Sequence, residues 1–260
     1  MIVFLVGMGL SLFAQPIDGV TKKRILEERR ILEYPPIREA DIFYEKKVWR
    51  IIDTREKMNL PFVNPERPLF DIITDAIQKD NLTVYSTEDD RFTYPEPNVG
   101  GILATKDTIR VIDPDTGLES LEAIENTLDY TAVKRFKIKE VWFFDEATST
   151  MRVRILGIAP LIEVKDNFGN FKFEKPLFWV YYPDIREALA RTAIPSDFND
   201  NQVMSWDDLF KMRYFSSYIT KASNVRDNRL KDMYSGIDLL LESDKIHQEI
   251  FNFEQDLWSY

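Results

Sequence analysis

The sequence predicts an α+β fold, in which a central antiparallel β meander lies between N- and C-terminal helical units. The stretch Lys137–Pro183 is rich in β-branched and aromatic residues and is divided by the turn-like segments DEATST and KDNFGN. The septet YPPIREA at Tyr34–Ala40 returns as YPDIREA at Tyr182–Ala188 with six of seven positions identical, which predicts a duplicated helix start on both sides of the meander. Segregated helices and strands favour this fold over a doubly wound parallel sheet.

The first residues, MIVFLVGMGLSLFAQ, predict a signal peptide. The apolar run Ile2–Ala14 is too short to span a bilayer but has the length of a signal-peptide core. Small residues near its end predict cleavage before Gln15, whereas a buried N-terminal strand is the alternative interpretation. Because the usual basic start is missing, Met1 need not be the true initiator. No other segment is apolar enough to cross a membrane, so no direct membrane span is predicted.

The boundaries within the chain are placed at two points. At the first, the helical spacing of apolar residues gives way to strand-like segments, and at the second the helical spacing returns. We expect one α+β domain after the leader. The predicted divisions are the signal peptide 1–14 and the domain 15–260, with a helical unit 15–80, a β-rich middle 81–181 and a helical unit 182–260.

The first helical unit begins with charged and proline-rich segments. A short helix in VTKKRILEERRILEYPP is predicted to end at the proline pair, because a proline disfavours helical geometry at the residue before it. Pro36 suits the first turn of a second helix through IREADIFYEKKVWRIIDTREK. The predicted buried face of that helix carries Tyr44, Val48, Ile51 and Ile52.

The next segments are predicted as a helix, a strand and the meander. LFDIITDAIQKDN carries an apolar stripe at helical spacing, and LTVYS follows as a short strand. DTIRVID leads into the turn PDTG. From Lys137 to Phe144 charged and apolar residues alternate imperfectly, which predicts a strand partly buried on both faces within a meander of three or four strands.

The second helical unit is predicted to start with YPDIREALAR, where Glu187 is placed to pair with Arg191. SWDDLFKMRYFSSYITKAS continues it, with Ser205 as N-cap and Asp208 completing a relative of the capping box. Laying Ile42–Ile52 on Leu209–Ile219 extends the duplication beyond the septet. Two apolar stripes predict C-terminal helices: Met233, Ile237, Leu240 and Leu241, then Ile246, Ile250, Phe253 and Leu257.

The composition narrows the class of function. A content of 44% hydrophobic and 13% aromatic residues is typical of a folded globular protein. The net charge of −10, from 44 acidic and 34 basic residues, argues against a nucleic-acid partner. The basic clusters TKKR and EERR are interpreted as solvated helix faces. Because the chain has no cysteine, disulfides, thiolate catalysis and Cys-based metal sites are excluded.

No catalytic, cofactor-binding or metal-binding site is predicted. His247 is the only histidine, and without an HExxH motif or a GxSxG elbow it is interpreted as a surface residue. The glycine-rich nucleotide motifs are missing as well. Carboxylates are abundant enough for a glycosidase acid and base, but no spacing singles out a pair. TEDDRF and DFNDN depart from the calcium-loop pattern and are interpreted as solvated loops.

The repeated septet leaves two interpretations open. In one, Arg38 and Arg186 hold equivalent carboxylates while Tyr34 and Tyr182 pack in equivalent pockets. In the other, the septet is a helix start used twice, in which proline sets the entry and acidic residues complement the helix dipole. The residues of the duplicated structural motif are Tyr34, Pro35, Ile37, Arg38, Glu39, Ala40, Tyr182, Pro183, Ile185, Arg186, Glu187 and Ala188.

Aromatic residues supply the candidates for partner contacts, because they dominate binding hot spots. KPLFWVYYP contributes Trp179 and Tyr181, for which a buried strand is the competing interpretation. FEQDLWSY contributes Trp258 and Tyr260 at the C-terminus.

Four stretches resemble the gliding-motility protein N family of Bacteroidota, called GldN in gliding species and PorN in their non-gliding relatives. They are YPPIREADIFYEKKVWRIIDTREKMNLPF, LFDIITDAIQ, FWVYYPDIREALAR and SWDDLFKMRYFSSYITKASN. The similarity covers nearly the whole chain after the leader.

This resemblance implies a periplasmic, non-enzymatic component of the type IX secretion system. Members of the family assemble with an outer-membrane lipoprotein, the K component (GldK or PorK), into a ring beneath the outer membrane. They are also linked to the periplasmic part of the motor, the M component (GldM or PorM). Two other functions compete with this one: a carboxylate-dependent glycan hydrolase of the periplasm, and a binding module whose two septets flank one ligand.

Overall fold

The computed structural model describes residues 25–86, 90–112, 119–166, 170–195 and 204–258. The predicted signal peptide, the cluster TKKR and the turn PDTG lie outside these residues. Over its described part, the predicted first charged helix is instead a turn at 25–28 followed by chain without regular secondary structure, so that prediction is wrong.

Within the described residues, seven strands form one antiparallel sheet and two form a separate hairpin. The strands are β1 (Ile42–Asp53), β2 (Val84–Tyr85), β3 (Ala104–Ile112), β4 (Glu119–Thr127), β5 (Val133–Asp145), β6 (Thr150–Lys165), β7 (Phe171–Pro176), β8 (Trp179–Tyr181) and β9 (Tyr218–Ala222). The order in the sheet is β2-β8-β6-β5-β1-β9, with β7 also paired to β6, and β3 pairs with β4 in the hairpin. Because β1 and β9 come from the two ends of the chain, this sheet joins both ends to the meander.

The α-helices lie around the sheet. They are α1 (Leu69–Lys79), α2 (Val99–Leu103), α3 (Tyr182–Arg191), α4 (Trp206–Met212) and α5 (Ile237–Trp258). Short 3-10 helices cover Glu39–Asp41, Lys57–Val63, Tyr130–Ala132 and Leu230–Asp232.

The α+β class and the meander are confirmed. Strands β5, β6, β7 and β8 follow one another, with DEATST between β5 and β6 and KDNFGN between β6 and β7. The prediction that β5 is partly buried on both faces is also confirmed, since its neighbouring residues Lys139 and Glu140 are 6% and 0% exposed. Helix α1 is confirmed as well and buries its predicted stripe of Leu69, Ile73, Ala76 and Ile77.

The helix predicted after the first septet is wrong, because Ile42–Asp53 is the strand β1. Residues at i, i+4 and i+8, here Tyr44, Val48 and Ile52, share one face of a helix and also one face of a strand, so this spacing fits both structures. The burial of the adjacent residues Ile51 and Ile52 distinguishes the strand from the helix. Ile52 is fully buried while Ile51 is only partly so, as expected when successive side chains point to opposite faces.

The two septets adopt different structures. The second copy starts α3 with Pro183 in the first turn, as predicted. The first copy has no regular secondary structure before the short 3-10 helix Glu39–Asp41, so the shared helix start is wrong for that copy. The one differing position offers a reason, because Pro36 disfavours helical geometry at Pro35, whereas Asp184 in the second copy imposes no such restriction. The longer alignment fails too, since it lays strand β1 on α4 and β9.

Apolar side chains on one face of the sheet pack against α1, α3 and α4. Ile52 of β1, Phe136 of β5 and Ile158 of β6 belong to this core. The 3-10 helix Lys57–Val63 inserts Phe62, whose ring lies 5.1 Å from that of Trp206 at the start of α4. Burial of this continuous apolar cluster is the main source of stability, since each fully buried side chain contributes about 1.5–3 kcal/mol.

The residues of the two predicted C-terminal stripes lie on the single helix α5, except Met233 of the first stripe, which precedes it. Of the second stripe, Ile246 and Ile250 are 8% and 2% exposed and pack with Val48 and Ile219. The first stripe is exposed, with Ile237 at 76%. The N-terminal half of α5 therefore presents apolar side chains to solvent.

Replacing Ile52 by Ala should lower the free energy of unfolding by about 2–5 kcal/mol, because it leaves a cavity in the main core. Phe43→Ala is the matched control on the same strand. Phe43 is 63% exposed, so its replacement should change stability by less than about 0.5 kcal/mol. Urea denaturation measures both, and equal losses would contradict the strand assignment of β1.

Candidate functional site

The two septets meet each other in the folded chain. The ring of Tyr34, from the first copy, lies with its centroid 4.2 Å from the guanidinium carbon of Arg186, from the second. Arg154 of β6 lies 4.9 Å from the same ring and donates a hydrogen bond of 2.7 Å to the carbonyl oxygen of Pro35. A cation over an aromatic face is attracted by the ring quadrupole, so this contact fixes the N-terminal segment on α3.

Arg186 belongs to a buried network around Asp207. Its Nε donates a hydrogen bond of 3.2 Å to Asp207, and the Tyr182 hydroxyl donates one of 3.1 Å. Lys211 forms a third contact, an ion pair of 2.6 Å. Burial raises the pKa of Tyr182 well above its usual value, so the hydroxyl keeps the proton that it donates. Asp207 is 1% exposed, and this network ties α3 to α4.

The predicted equivalence of the two septets does not extend to these contacts. Arg38 is exposed and pairs with Asp41 three residues away at 2.9 Å, whereas Arg186 is buried against Asp207. Tyr34 covers Arg186 instead of occupying a pocket equivalent to that of Tyr182. The septets therefore pack against each other, and their role in this structure is to join two parts of the chain.

The N-terminal segment has a second anchor at Arg29. Its guanidinium forms a two-pronged ion pair with Asp208, with an Nη2–Oδ1 distance of 2.6 Å. The interpretation of EERR as a solvated helix face is thus wrong for Arg29. The predicted capping box of Ser205 and Asp208 is confirmed. Hydrogen bonds from Arg29 and Ser205 outweigh burial and lower the pKa of Asp208 to about 2.

The buried carboxylates of the described chain hold ion pairs within the fold. Asp53 pairs with Arg55 and Arg135, and Asp145 pairs with Arg152. A glycosidase needs two carboxyl groups facing a substrate, one of them with a raised pKa. The arginine partners instead lower the pKa of Asp53, so it is held as a permanent anion.

Among the described residues, no group of three or more His, Cys, Asp or Glu side chains is arranged to hold a metal ion. His247 is exposed on α5, with its ring 6.3 Å from that of Trp142. Partial burial of the ring lowers its pKa, which favours the neutral imidazole.

A second charged cluster, which the sequence did not predict, lies beside α5. Glu140 of β5 is 0% exposed and faces two arginines. The Nε of Arg50, on β1, lies 3.4 Å from Glu140 Oε2, and Arg213 Nη2 lies 2.9 Å from Oε1. Arg213 follows α4 in the left-handed conformation, with φ of 55°, which is uncommon for a residue other than Gly. Glu140 is the one acidic residue in the segment VKRFKIKEVWFF, and it is the one signal that the sequence carries for this cluster.

The exposed part of α5 offers the clearest contact surface of the described chain. Ile237, Leu240 and Leu241 lie on one helix face and are 76%, 52% and 62% exposed. We call these three residues the α5 apolar patch. Such clustered exposure of large apolar side chains is typical of an interaction site, because a free surface of this kind is unfavourable in water.

The predicted partner-contact residues are placed differently. Trp179 of β8 is 1% exposed, so the buried-strand interpretation describes it correctly and it is not a surface contact in this structure. Tyr181 is half-buried, with its ring 5.2 Å from that of Phe92. Trp258 ends α5, and Tyr260 lies outside the described residues.

The described chain is thus an α+β protein whose charged groups hold the fold together and whose α5 presents an apolar surface. No helix in this part of the chain is long and apolar enough to cross a membrane. Residues 37–259 match the family described as gliding motility associated protein GldN, and the chain belongs to this family. The resemblance noted from the sequence is thereby confirmed, and the protein is a component of the gliding-motility and type IX secretion machinery. No curated protein matches the chain.

Asp207→Ala should lower the free energy of unfolding by about 3–5 kcal/mol, because it leaves the buried Arg186 without its carboxylate. Glu187→Ala is the matched control, since it breaks the exposed pair with Arg191 on the same helix. The control should cost about 0.5 kcal/mol or less. Chemical denaturation at pH 7 compares the two variants, and a loss below about 1 kcal/mol for Asp207→Ala would contradict the buried network.

The Arg29–Asp208 pair should make the free energy of unfolding depend on pH in the acidic range. A carboxyl group whose pKa falls on folding stabilises the folded state above its unfolded pKa of about 3.9. This contribution is lost as the pH falls through the folded value of about 2. Allowing for partial exposure, we expect about 1–2 kcal/mol of unfolding free energy to disappear between about pH 5 and pH 2.

Urea denaturation as a function of pH measures this contribution. Asp208→Asn should flatten the pH dependence, and Arg29→Met should do the same because Arg29 is the main cause of the low pKa. An unchanged slope in Asp208→Asn would disprove the assignment.

Proposed function

We propose that this chain is a periplasmic structural subunit of the type IX secretion system, which builds a ring with an outer-membrane lipoprotein of the K type. The lipoprotein holds the ring at the inner face of the outer membrane. A second contact, with the periplasmic part of the M component, links the ring to the motor. Membership of the GldN family supports this proposal.

The observation that carries the proposal is the α5 apolar patch. A ring of identical subunits needs two different surfaces on each subunit, because only a head-to-tail contact repeats around a closed circle. The patch supplies one such surface, with Ile237, Leu240 and Leu241 exposed on a chain of this family. Burial of each large apolar side chain against a neighbour would contribute about 1.5–3 kcal/mol.

The ring is tested by co-expressing the chain with its K-type lipoprotein and imaging the purified complex by electron microscopy. Rings or arcs that contain both proteins are the expected result. If neither protein copurifies with the other, the proposal is overturned. Intact secretion in a strain that lacks this chain would refute its role in export.

Leu241→Glu should weaken assembly at least about tenfold, because a charge on the patch must be desolvated at the interface. Gln248→Glu adds the same charge at an exposed polar position of the same helix and is the matched control. Size-exclusion chromatography with light scattering measures the assembled fraction, and thermal unfolding verifies that both variants fold. Equal assembly by the two variants would rule the patch out.

A further inference from the structure

A cleft lies between α5 and the segment that joins α4 to β9. It has a volume of about 520 Å³. Its lining includes Arg50, Arg213, Leu240, Asp244 and His247. Leu240 also belongs to the α5 apolar patch, so the cleft and the patch are continuous.

The cleft contains more buried positive charge than the fold neutralises. Two guanidinium groups, of Arg50 and Arg213, share the single buried carboxylate of Glu140. The Arg50 side chain is 6% exposed, and its Nη1 makes only a long hydrogen bond of 3.4 Å, to Ser217. Within the described chain, Arg50 Nη2 and Arg213 Nη1 are buried without a hydrogen-bond partner.

An arginine buried in this way is energetically unfavourable. Burial lowers the pKa of Arg50, Glu140 raises it and Arg213 lowers it again. Arginine nevertheless stays charged in proteins, so the cost remains until a second anion arrives. Arg50 and Arg213 both line the cleft, so an acceptor that enters it meets guanidinium groups whose hydrogen bonds are incomplete.

We propose that this cleft binds a carboxylate group of a partner protein, with Arg50 and Arg213 as its ligands and the α5 apolar patch packed against apolar residues beside that carboxylate. The planar guanidinium fork matches a carboxylate and binds it through parallel hydrogen bonds. The proposal rests on the proposed function, since it names the chemistry of a partner at the same surface.

The surroundings favour a singly charged carboxylate in an apolar segment over a phosphate. Asp244 lines the cleft and is exposed, and it would repel a doubly charged anion. The lowered pKa of His247 favours its neutral form, so the two arginines are the main positive groups of the cleft. The apolar side of the cleft is Leu240, which is 52% exposed and suits an aliphatic neighbour.

The indole N–H group of Trp142 can report the binding of a partner carboxylate in the cleft. Its indole N–H donates a hydrogen bond of 3.0 Å to Glu140, and its ring lies 5.1 Å from the guanidinium carbon of Arg213. The chain has five tryptophans, so their indole N–H signals can be resolved in a nitrogen-15 correlation spectrum. Trp142→Phe assigns the signal by its loss.

The first titration uses two blocked tripeptides, Leu-Glu-Leu and Leu-Gln-Leu, with sodium acetate and sodium chloride at matched ionic strength. We expect a saturable shift of the Trp142 signal with the glutamate peptide, at least about tenfold tighter than with the glutamine peptide. Acetate should bind more weakly, since it lacks the apolar contacts. Equal affinity for acetate and the glutamate peptide would show an adventitious ion only, and no saturable shift would overturn the proposal.

Variants then localise the site. Arg213→Met should abolish the shift. If this variant fails to fold, Leu240→Glu decides, because it keeps both arginines and places a competing carboxylate at the cleft. Arg191→Met, which removes an exposed arginine from α3, should bind as the unaltered chain does. Retention of full affinity in Leu240→Glu would disprove the assignment.

Measuring complex formation with the K-type lipoprotein distinguishes a failure of this inference from a failure of the proposed function. If the unaltered chain forms the complex and Arg213→Met and Leu240→Glu form it equally well, the cleft is not the partner site and the ring function stands. If the unaltered chain forms no complex, the ring function fails, while the peptide titration still decides whether the cleft binds a carboxylate.

Discussion

The structure depends on the pairing of β1 along both of its edges. One edge pairs antiparallel with β5 from Ile42 to Asp53, and the other pairs with β9 between Val48 and Ile51. This arrangement holds the C-terminal strand against the meander through a strand from the N-terminal part of the chain. Because Glu140 lies opposite Val48 in the β1–β5 register, the same pairing sets the carboxylate beside Arg50. The fold and the cleft thus have a common origin.

Much of the fold could be predicted from the sequence, because several segments satisfy only one periodicity. The stripe of α1 fits a helix alone, and the strands of the meander are separated by clear turn segments. The pattern of β1 fits both periods, and its many β-branched and aromatic residues were the better guide. The septet shows a different difficulty. The two septets adopt different structures although six of their seven residues are identical, because Pro36 restricts the first copy and the shared residues set the local structure only weakly.

The candidate site was much less predictable than the fold. Arg50, Glu140 and Arg213 are far apart in sequence, with a separation of 73 positions between the last two, and only the folding of the chain brings them together. The contact of Tyr34 with Arg186 could not be predicted for the same reason, although both residues belong to the repeated septet. Periodicity reports which face of an element is buried, but it carries no information on which distant side chains meet there.

The cluster at Glu140 differs from the other buried charged groups in how its cations are compensated. At Asp207, the buried Arg186 is also covered by the ring of Tyr34, and Lys211 is partly exposed to water. At Asp53, the shared Arg135 has a second carboxylate in Glu174 at 2.5 Å. Arg50 shares the carboxylate of Glu140 with Arg213 and makes a long hydrogen bond to Ser217. Since burial of an incompletely paired charge is costly, a cation retained in this state beside an open cleft and an apolar patch indicates that its remaining partner comes from another molecule.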